Sequence, residues 1–169
     1  MKKIGLLSDT HSYLDDRILY YLKDCDEIWH AGDWGSVKLS DTLEALGTVR
    51  GVYGNIDGND LRLIYPELNI FNCEGKKIML LQIVGSPGKY YPGVRAEINK
   101  HRPDIVVCGH SHILRIQQDK ELNFLYMNPG AAGRHGFHKV RTMLTFEINQ
   151  GKIEELKAIE LGPRTKEII

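Results

Sequence analysis

Short runs rich in isoleucine, valine and leucine alternate with amphipathic stretches from the first residues of this chain, and that alternation restricts the fold more than any other feature. Ile4 to Leu7, Glu27 to Trp29 and Thr48 to Tyr53 read as short strands. Between the first two, Leu14, Ile18 and Leu22 recur at the i, i+4, i+8 spacing of one helical face. A second helix is expected from about Ser40 to Leu46, with Ser40 as N-cap, Leu43 and Leu46 inward and Gly47 as its stop. A β-α-β-α-β start demands parallel pairing with right-handed crossovers, which places the chain in the α/β class. Further along, Ile70 to Cys73 and Lys77 to Ile83 flank the turn Glu74-Gly75-Lys76. Val94 to His101 reads as a helix stopped by Pro103, ahead of the buried run Ile105 to Cys108. Phe124 to Met127, Thr142 to Ile148 and Lys152 to Ile159 read as strands, the last two joined at Asn149-Gln150-Gly151. No repeat or linker divides the sequence, so residues 1–169 are expected to form a single domain, with Gly162 to Ile169 a loosely held tail.

Composition excludes several classes of function. The 22 basic and 22 acidic residues balance, leaving no bulk field for nucleic acid or an anionic membrane. Apolar residues make up 42% of the chain, enough for one sizeable core, and no apolar run approaches the roughly 20 residues of a membrane span. Met1-Lys2-Lys3 gives way at once to Ile4-Gly5-Leu6-Leu7-Ser8-Asp9, too short and too soon polar for a signal peptide, so the chain reads as cytoplasmic. Cys25, Cys73 and Cys108 are odd in number and widely spaced, and read as small core residues rather than disulfides or zinc ligands.

The residues able to do chemistry fall where the expected strands end. Asp9 and His11 follow the first, Asp33 stands behind Gly32 after the second, Asn55 behind Gly54 after the third, and His110 and His112 follow the run that ends at Gly109. Residues at i and i+2 of an extended segment point to the same side, so Asp9 with His11, and His110 with His112, are each expected to face one ion. Open α/β sheets bind ligands outside the carboxyl ends of their strands, which makes convergence on one rim physically reasonable.

The ordered set Asp9-x-His11, Gly32-Asp33, Gly54-Asn55 and Gly109-His110-x-His112 resembles the calcineurin-like metallophosphoesterases, and specifically their small YfcE-like phosphodiesterase branch. Ser8-Asp9-Thr10-His11, His30-Ala31-Gly32-Asp33, Tyr53-Gly54-Asn55-Ile56-Asp57, Gly109-His110-Ser111-His112 and Asn128-Pro129-Gly130 carry the likeness over nearly the whole chain. The resemblance implies a four-layer α-β-β-α sandwich with two mixed sheets. It also implies two divalent ions: one held by Asp9, His11, Asp33 and His112, the other by Asn55 and His110, with Asp33 bridging. Mn²⁺ is the first expectation, with Fe²⁺, Ni²⁺, Co²⁺, Zn²⁺ or Mg²⁺ as alternatives. Two such ions sharing only two carboxylates give a net positive site that attracts a phosphate, polarises it and generates the attacking hydroxide from water, with Asp33 and Asn55 in support.

Two positions depart from the family pattern. The family supplies another histidine to the second metal, and the alignment puts Gln82 there; its neutral amide oxygen either ligates a hard ion or leaves that position weakly held. In many relatives a histidine follows the Gly-Asn pair and assists the leaving group; here it is Ile56, which suits an activated or diester alcohol. Asp57 is a candidate to orient a ligand, with His11 the suggested partner. Arg134, His135 and His138, in the glycine-rich loop Gly133 to Lys139, are candidate phosphate contacts, against the alternative of a solvated loop. His30, Trp29 and Trp34 read as structural. The expected activity is metal-dependent hydrolysis of a small phosphoester, by a protein that relatives suggest as a homo-oligomer. The alternative is a metal-poor scaffold that binds a protein partner, as a retromer subunit of the same superfamily does after losing ligand histidines.

Overall fold

The computed structural model describes residues 1–165. Its first half runs β1 (Lys2–Leu7), α1 (Asp16–Leu22), β2 (Glu27–His30), α2 (Val37–Glu44), β3 (Thr48–Gly51) and α3 (Asn59–Ile64). A hairpin of β4 (Leu68–Cys73) and β5 (Lys76–Leu81) follows, then the short pair β6 (Gly85–Ser86) and β7 (Lys89–Tyr90), and α4 (Pro92–His101). The described residues end with β8 (Ile105–Val107), β9 (Leu114–Asp119), β10 (Phe124–Pro129), β11 (Val140–Asn149) and β12 (Lys152–Pro163).

Two mixed five-stranded sheets result, ordered β12-β11-β1-β2-β3 and β4-β5-β8-β10-β9. In the first, β1, β2 and β3 run parallel while β11 and β12 are antiparallel; in the second, β5, β8 and β10 run parallel between antiparallel β4 and β9. Strand alternation distributes the apolar side chains. From β1, Ile4 and Leu6 join Ile78, Leu80, Ile105, Val107 and Met127 in the core between the sheets, whereas Leu7 faces α1 and α2 among Ile18, Leu22 and Leu43. On the far side Met79 and Val106 face Val94 and Ile98 of α4. Helix, sheet, sheet, helix is therefore the layer order, the four-layer α-β-β-α sandwich that the family likeness implied. Trp29 of the first sheet is edge-on to Phe71 of the second at 5.2 Å, and to Phe146 of its own sheet at 5.6 Å. Such pairs add about 0.5–1.5 kcal/mol beyond area burial. The three cysteines are buried and free.

Several boundaries differ from expectation for local reasons. Ser36, not Ser40, caps α2 by accepting the Leu39 N–H at 3.3 Å. Ser40 lies inside the helix, buried, with its hydroxyl 2.6 Å from that of Tyr65. α3 was not foreseen: six residues with Leu61 alone buried give too little periodicity to register. β9 is an edge strand with Leu114 and Ile116 partly exposed, so burial never marks its alternation. The tail expected from Gly162 is corrected at its start: Gly162 and Pro163 close β12 opposite Arg141 and Val140, and the Arg164 N–H and guanidinium bond the carbonyls of Lys139 and His138. Residues 166–169 lie outside the described residues.

Candidate metal centre

The carboxyl ends of the parallel strands of both sheets open on one rim. Asp9 follows β1, Asp33 follows β2, Asn55 follows β3, and His110 and His112 follow β8. The pairs at i and i+2 converge by a different route from the expected extended backbone. Asp9 (φ 54°), His11 (φ 44°), Asp33 (φ 58°), His110 (φ 70°) and His112 (φ 63°) all take left-handed conformations. Each such residue costs on the order of 1–3 kcal/mol and persists only where its surroundings hold it, and strain of this kind concentrates at functional sites. The restraints are visible: Asp9 N–H to Gly32 O at 2.9 Å, His11 N–H to Asp33 O at 3.1 Å, and His110 N–H to the Asp9 carboxylate at 3.0 Å. Gly54 has no room for a Cβ, which would run into the Asp33 carboxylate.

Asp9, His11 and His112 offer ligand atoms that all lie within 4.8 Å of one another. His112 Nε2 is 3.4 Å from Asp9 Oδ1, and His11 Nε2 is 3.7 Å from Asp33 Oδ2. The His11 Nε2 is also buried with no hydrogen-bond partner, an orphaned imidazole nitrogen beside two carboxylates. That donor set fits a divalent cation of borderline softness. Burial pushes the Asp9 carboxyl up, but His112 and the Ser8 hydroxyl, which donates to it at 2.6 Å, outweigh burial and hold it below the usual range. Hydrogen bonding to Asp9 raises His112. Burial lifts Asp33 to about 6, opposed by the Ile56 N–H and reinforced by the charge of Asp9, and burial lowers His11. Two buried carboxylates beside an imidazole whose protonation burial disfavours are electrostatically suited to receiving positive charge.

The second position fits less well. Asn55 Oδ1 and His110 Nδ1 lie 3.2 Å apart beside it. Gln82 is buried there, yet its Oε1 accepts the Asn55 N–H at 3.0 Å while its NH₂ donates to Asp9 Oδ1 at 3.3 Å. The Asn55 N–H fixes which end of the amide is oxygen. Donor hydrogens, not a ligand oxygen, therefore face the carboxylate.

Of the remaining candidates, His135 stacks on His11 with ring centres 4.5 Å apart, and His138 stands edge-on to His112 at 5.2 Å; both line the cavity. Arg134 does not line it: its Nε donates to Arg164 O at 3.1 Å and its guanidinium covers Tyr13. Asp57 does not bond His11. Its carboxylate accepts N–H groups of Trp34, Gly35 and Gly54 at 3.2, 3.0 and 2.8 Å, clamping the Asp33 turn to the Asn55 turn. Trp34 is structural, stacked between His30 and Tyr65 at 3.8 and 4.2 Å. His30 is fully buried, accepts the Gly32 N–H at 3.1 Å, and so turns Nε2–H towards Thr10 Oγ at 3.0 Å. Asn128 supports the rim, its NH₂ donating to Gly109 O and Ser111 Oγ at 3.1 and 3.0 Å. Sequence reasoning gave no separate role to Ser8; a small hydroxyl residue directly before Asp9 was the available signal. The cavity itself measures about 690 Å³, and a second of about 630 Å³ adjoins it across Asn55.

Comparisons with known proteins bear on the fold and the family. The chain is similar to a probable metallophosphoesterase of Methanothermobacter thermautotrophicus, 28% identical over 140 residues that cover 76% of each chain. Among solved structures it is similar to a novel archaeal phosphodiesterase (TM-score 0.74, 21% identity, 94% of this chain and 99% of that one). A Vps29 variant from Entamoeba histolytica is also similar (TM-score 0.73, 17% identity, 95% and 99%). The calcineurin-like phosphoesterase superfamily domain matches over residues 1–151, a span containing every strand end that feeds the rim, and the chain belongs to that superfamily.

Proposed function

We propose that this chain is a divalent-metal-dependent phosphodiesterase of the YfcE-like branch, hydrolysing a small or flexible phosphoester. The observation that carries the reading is the convergence of Asp9, His11 and His112 around the unpartnered His11 Nε2, with His11 and His112 lining a cavity open to solvent and Asp9 buried behind them. Asp9, His11, His112 and Asp33 would hold one ion, and Asp33, Asn55 and His110 a second. Such ions, when bound, neutralise phosphate charge and acidify the water that attacks phosphorus.

The chain's own residues account for the rest. Ser8, His110 N–H and Gln82 fix the Asp9 carboxylate in orientation. His135, stacked on His11 in the lining of the same cavity, would offer its imidazole to the incoming phosphoester, while His138, its Nε2 bonded to Gly133 O, braces the loop against His112. Ile56 places no proton donor beside Asn55, so departure of the alcohol depends on its own acidity, which favours activated and diester substrates. Mn²⁺ as the ion, a cytoplasmic location, self-association and the single-domain organisation belong to the same proposal. Among the described residues no helix is long and apolar enough to cross a membrane.

The test is hydrolysis of an activated bis-aryl phosphodiester with Mn²⁺. Metal-dependent turnover is expected, abolished by Asp33→Asn and raised or unchanged by Gln82→His. A second reading, a scaffold that binds a protein partner, is favoured by the turned Gln82 amide and the fold likeness to Vps29. Absence of turnover with every metal, with stability indifferent to metal, would select it.

A further inference from the structure

The cavity over the metal centre has a polar floor and an apolar mouth. Phe137 is wholly exposed (101%), Ile113 is 64% exposed and Ile56 47%, and all three line the same cavity as His11, Asp33 and His112. Among the described residues no lysine or arginine lines it. Three large apolar side chains standing in water around one opening cost solvation free energy that isolated surface residues scattered elsewhere do not concentrate.

The loop that carries Phe137 is pressed against the site. Its neck is closed by His138 Nε2, which donates to Gly133 O at 2.9 Å, and Gly133 N–H is bonded to Asp9 O at 3.1 Å. Gly136 (φ 127°) lies so close to the His112 ring that a Cβ there would overlap it. Phe137 is thereby held at the mouth of the cavity that Ile56, which follows Asn55, and Ile113, which follows His112, also line.

We infer that Phe137, Ile113 and Ile56 form a specificity clamp for an apolar arm of the substrate: a phosphodiester with one alkyl or aryl alcohol, seated with its phosphate on the floor and that arm against the rim. This rests on the phosphodiesterase reading above. Arg62 and Arg115 line the adjoining cavities and not this one, so among the described residues the lining of this mouth itself has no lysine or arginine to pair with a second phosphate, whereas an aryl or alkyl group removes the exposed rim from water. During hydrolysis the water oxygen bonds phosphorus, the bond from phosphorus to the leaving oxide breaks, and the water proton passes to solvent; the apolar arm stays esterified and serves only to position.

Two diesters with the same 4-nitrophenyl leaving group, one bearing a methyl arm and the other a phenyl or octyl arm, separate the arm from the chemistry. The wild type is expected to favour the apolar arm in kcat/KM by about tenfold or more, in keeping with what a few buried methylenes discriminate. In Phe137→Ser and in Ile113→Ser, both solvent-facing changes that leave the fold intact, that ratio falls towards one. Turnover of both esters at equal efficiency, or a ratio that survives both substitutions, overturns the clamp while the hydrolase reading stands. Turnover of neither ester with any metal overturns both.

Discussion

At the scale of single residues, polarity at strand ends told more than local conformation. The convergence of Asp9, His11, Asp33, Asn55, His110 and His112 on one rim was legible because they are ordered polar residues at the ends of apolar runs, three of them, Asp33, Asn55 and His110, directly behind glycines. Their left-handed backbones were not legible, since they arise from hydrogen bonds between loops far apart in sequence, such as His110 N–H to Asp9. Gln82 shows the same limit: the sequence offers an amide, and only the Asn55 N–H decides which end faces inward. Replacing it by imidazole removes the donor that faces Asp9. Gln82→His is therefore expected to bind a second equivalent of Mn²⁺ at concentrations where the wild type holds one, as read by calorimetry. His30 yields a pH prediction. Burial holds its folded pKa at about 3, below the ordinary 6.5, so between those values the unfolded chain binds a proton that the folded chain refuses. Its contribution to stability is complete above pH 6.5 and is lost as pH falls towards 3. Chemical unfolding at pH 7 and pH 5 should show a drop in stability that is smaller in His30→Gln.

Elements with a periodic apolar face were readable, and those without one were not. α1 follows from Leu14, Ile18 and Leu22, and α4 ends where Arg102 turns left-handed ahead of Pro103. α3 and β9 escaped because each buries too little to leave a pattern. In α2 the helical face was seen but its start was misplaced by four residues, because Ser36 and Ser40 are both competent caps and only tertiary packing sends Ser40 to Tyr65. Ser36→Ala should cost about 1 kcal/mol in equilibrium unfolding. Ser40→Ala should act instead through the loss of its buried bond to Tyr65. Equal and negligible effects of both substitutions would contradict this assignment of the cap.

The two sheets together build a rim that neither could supply alone. The first brings Asp9, Asp33 and Asn55, the second brings His110 and His112, and the apolar core between them, with Trp29 of the first sheet against Phe71 of the second, holds the two together. The β-α-β-α-β start announced the first sheet; the second, with β8 and β10 parallel but distant from their partners in sequence, followed from the family likeness rather than from periodicity. The strain held at Asp9, His11, Asp33, His110 and His112 makes sense if a cation rewards it. Calorimetric titration of the metal-free chain with Mn²⁺, alongside His11→Phe, tests this most directly, because the substitution removes an orphaned nitrogen while keeping the stack on His135. Saturable binding by the wild type, lost in His11→Phe without a fall in the metal-free melting temperature, is the predicted result. Undiminished Mn²⁺ binding by His11→Phe, or no saturable binding by the wild type, would contradict it.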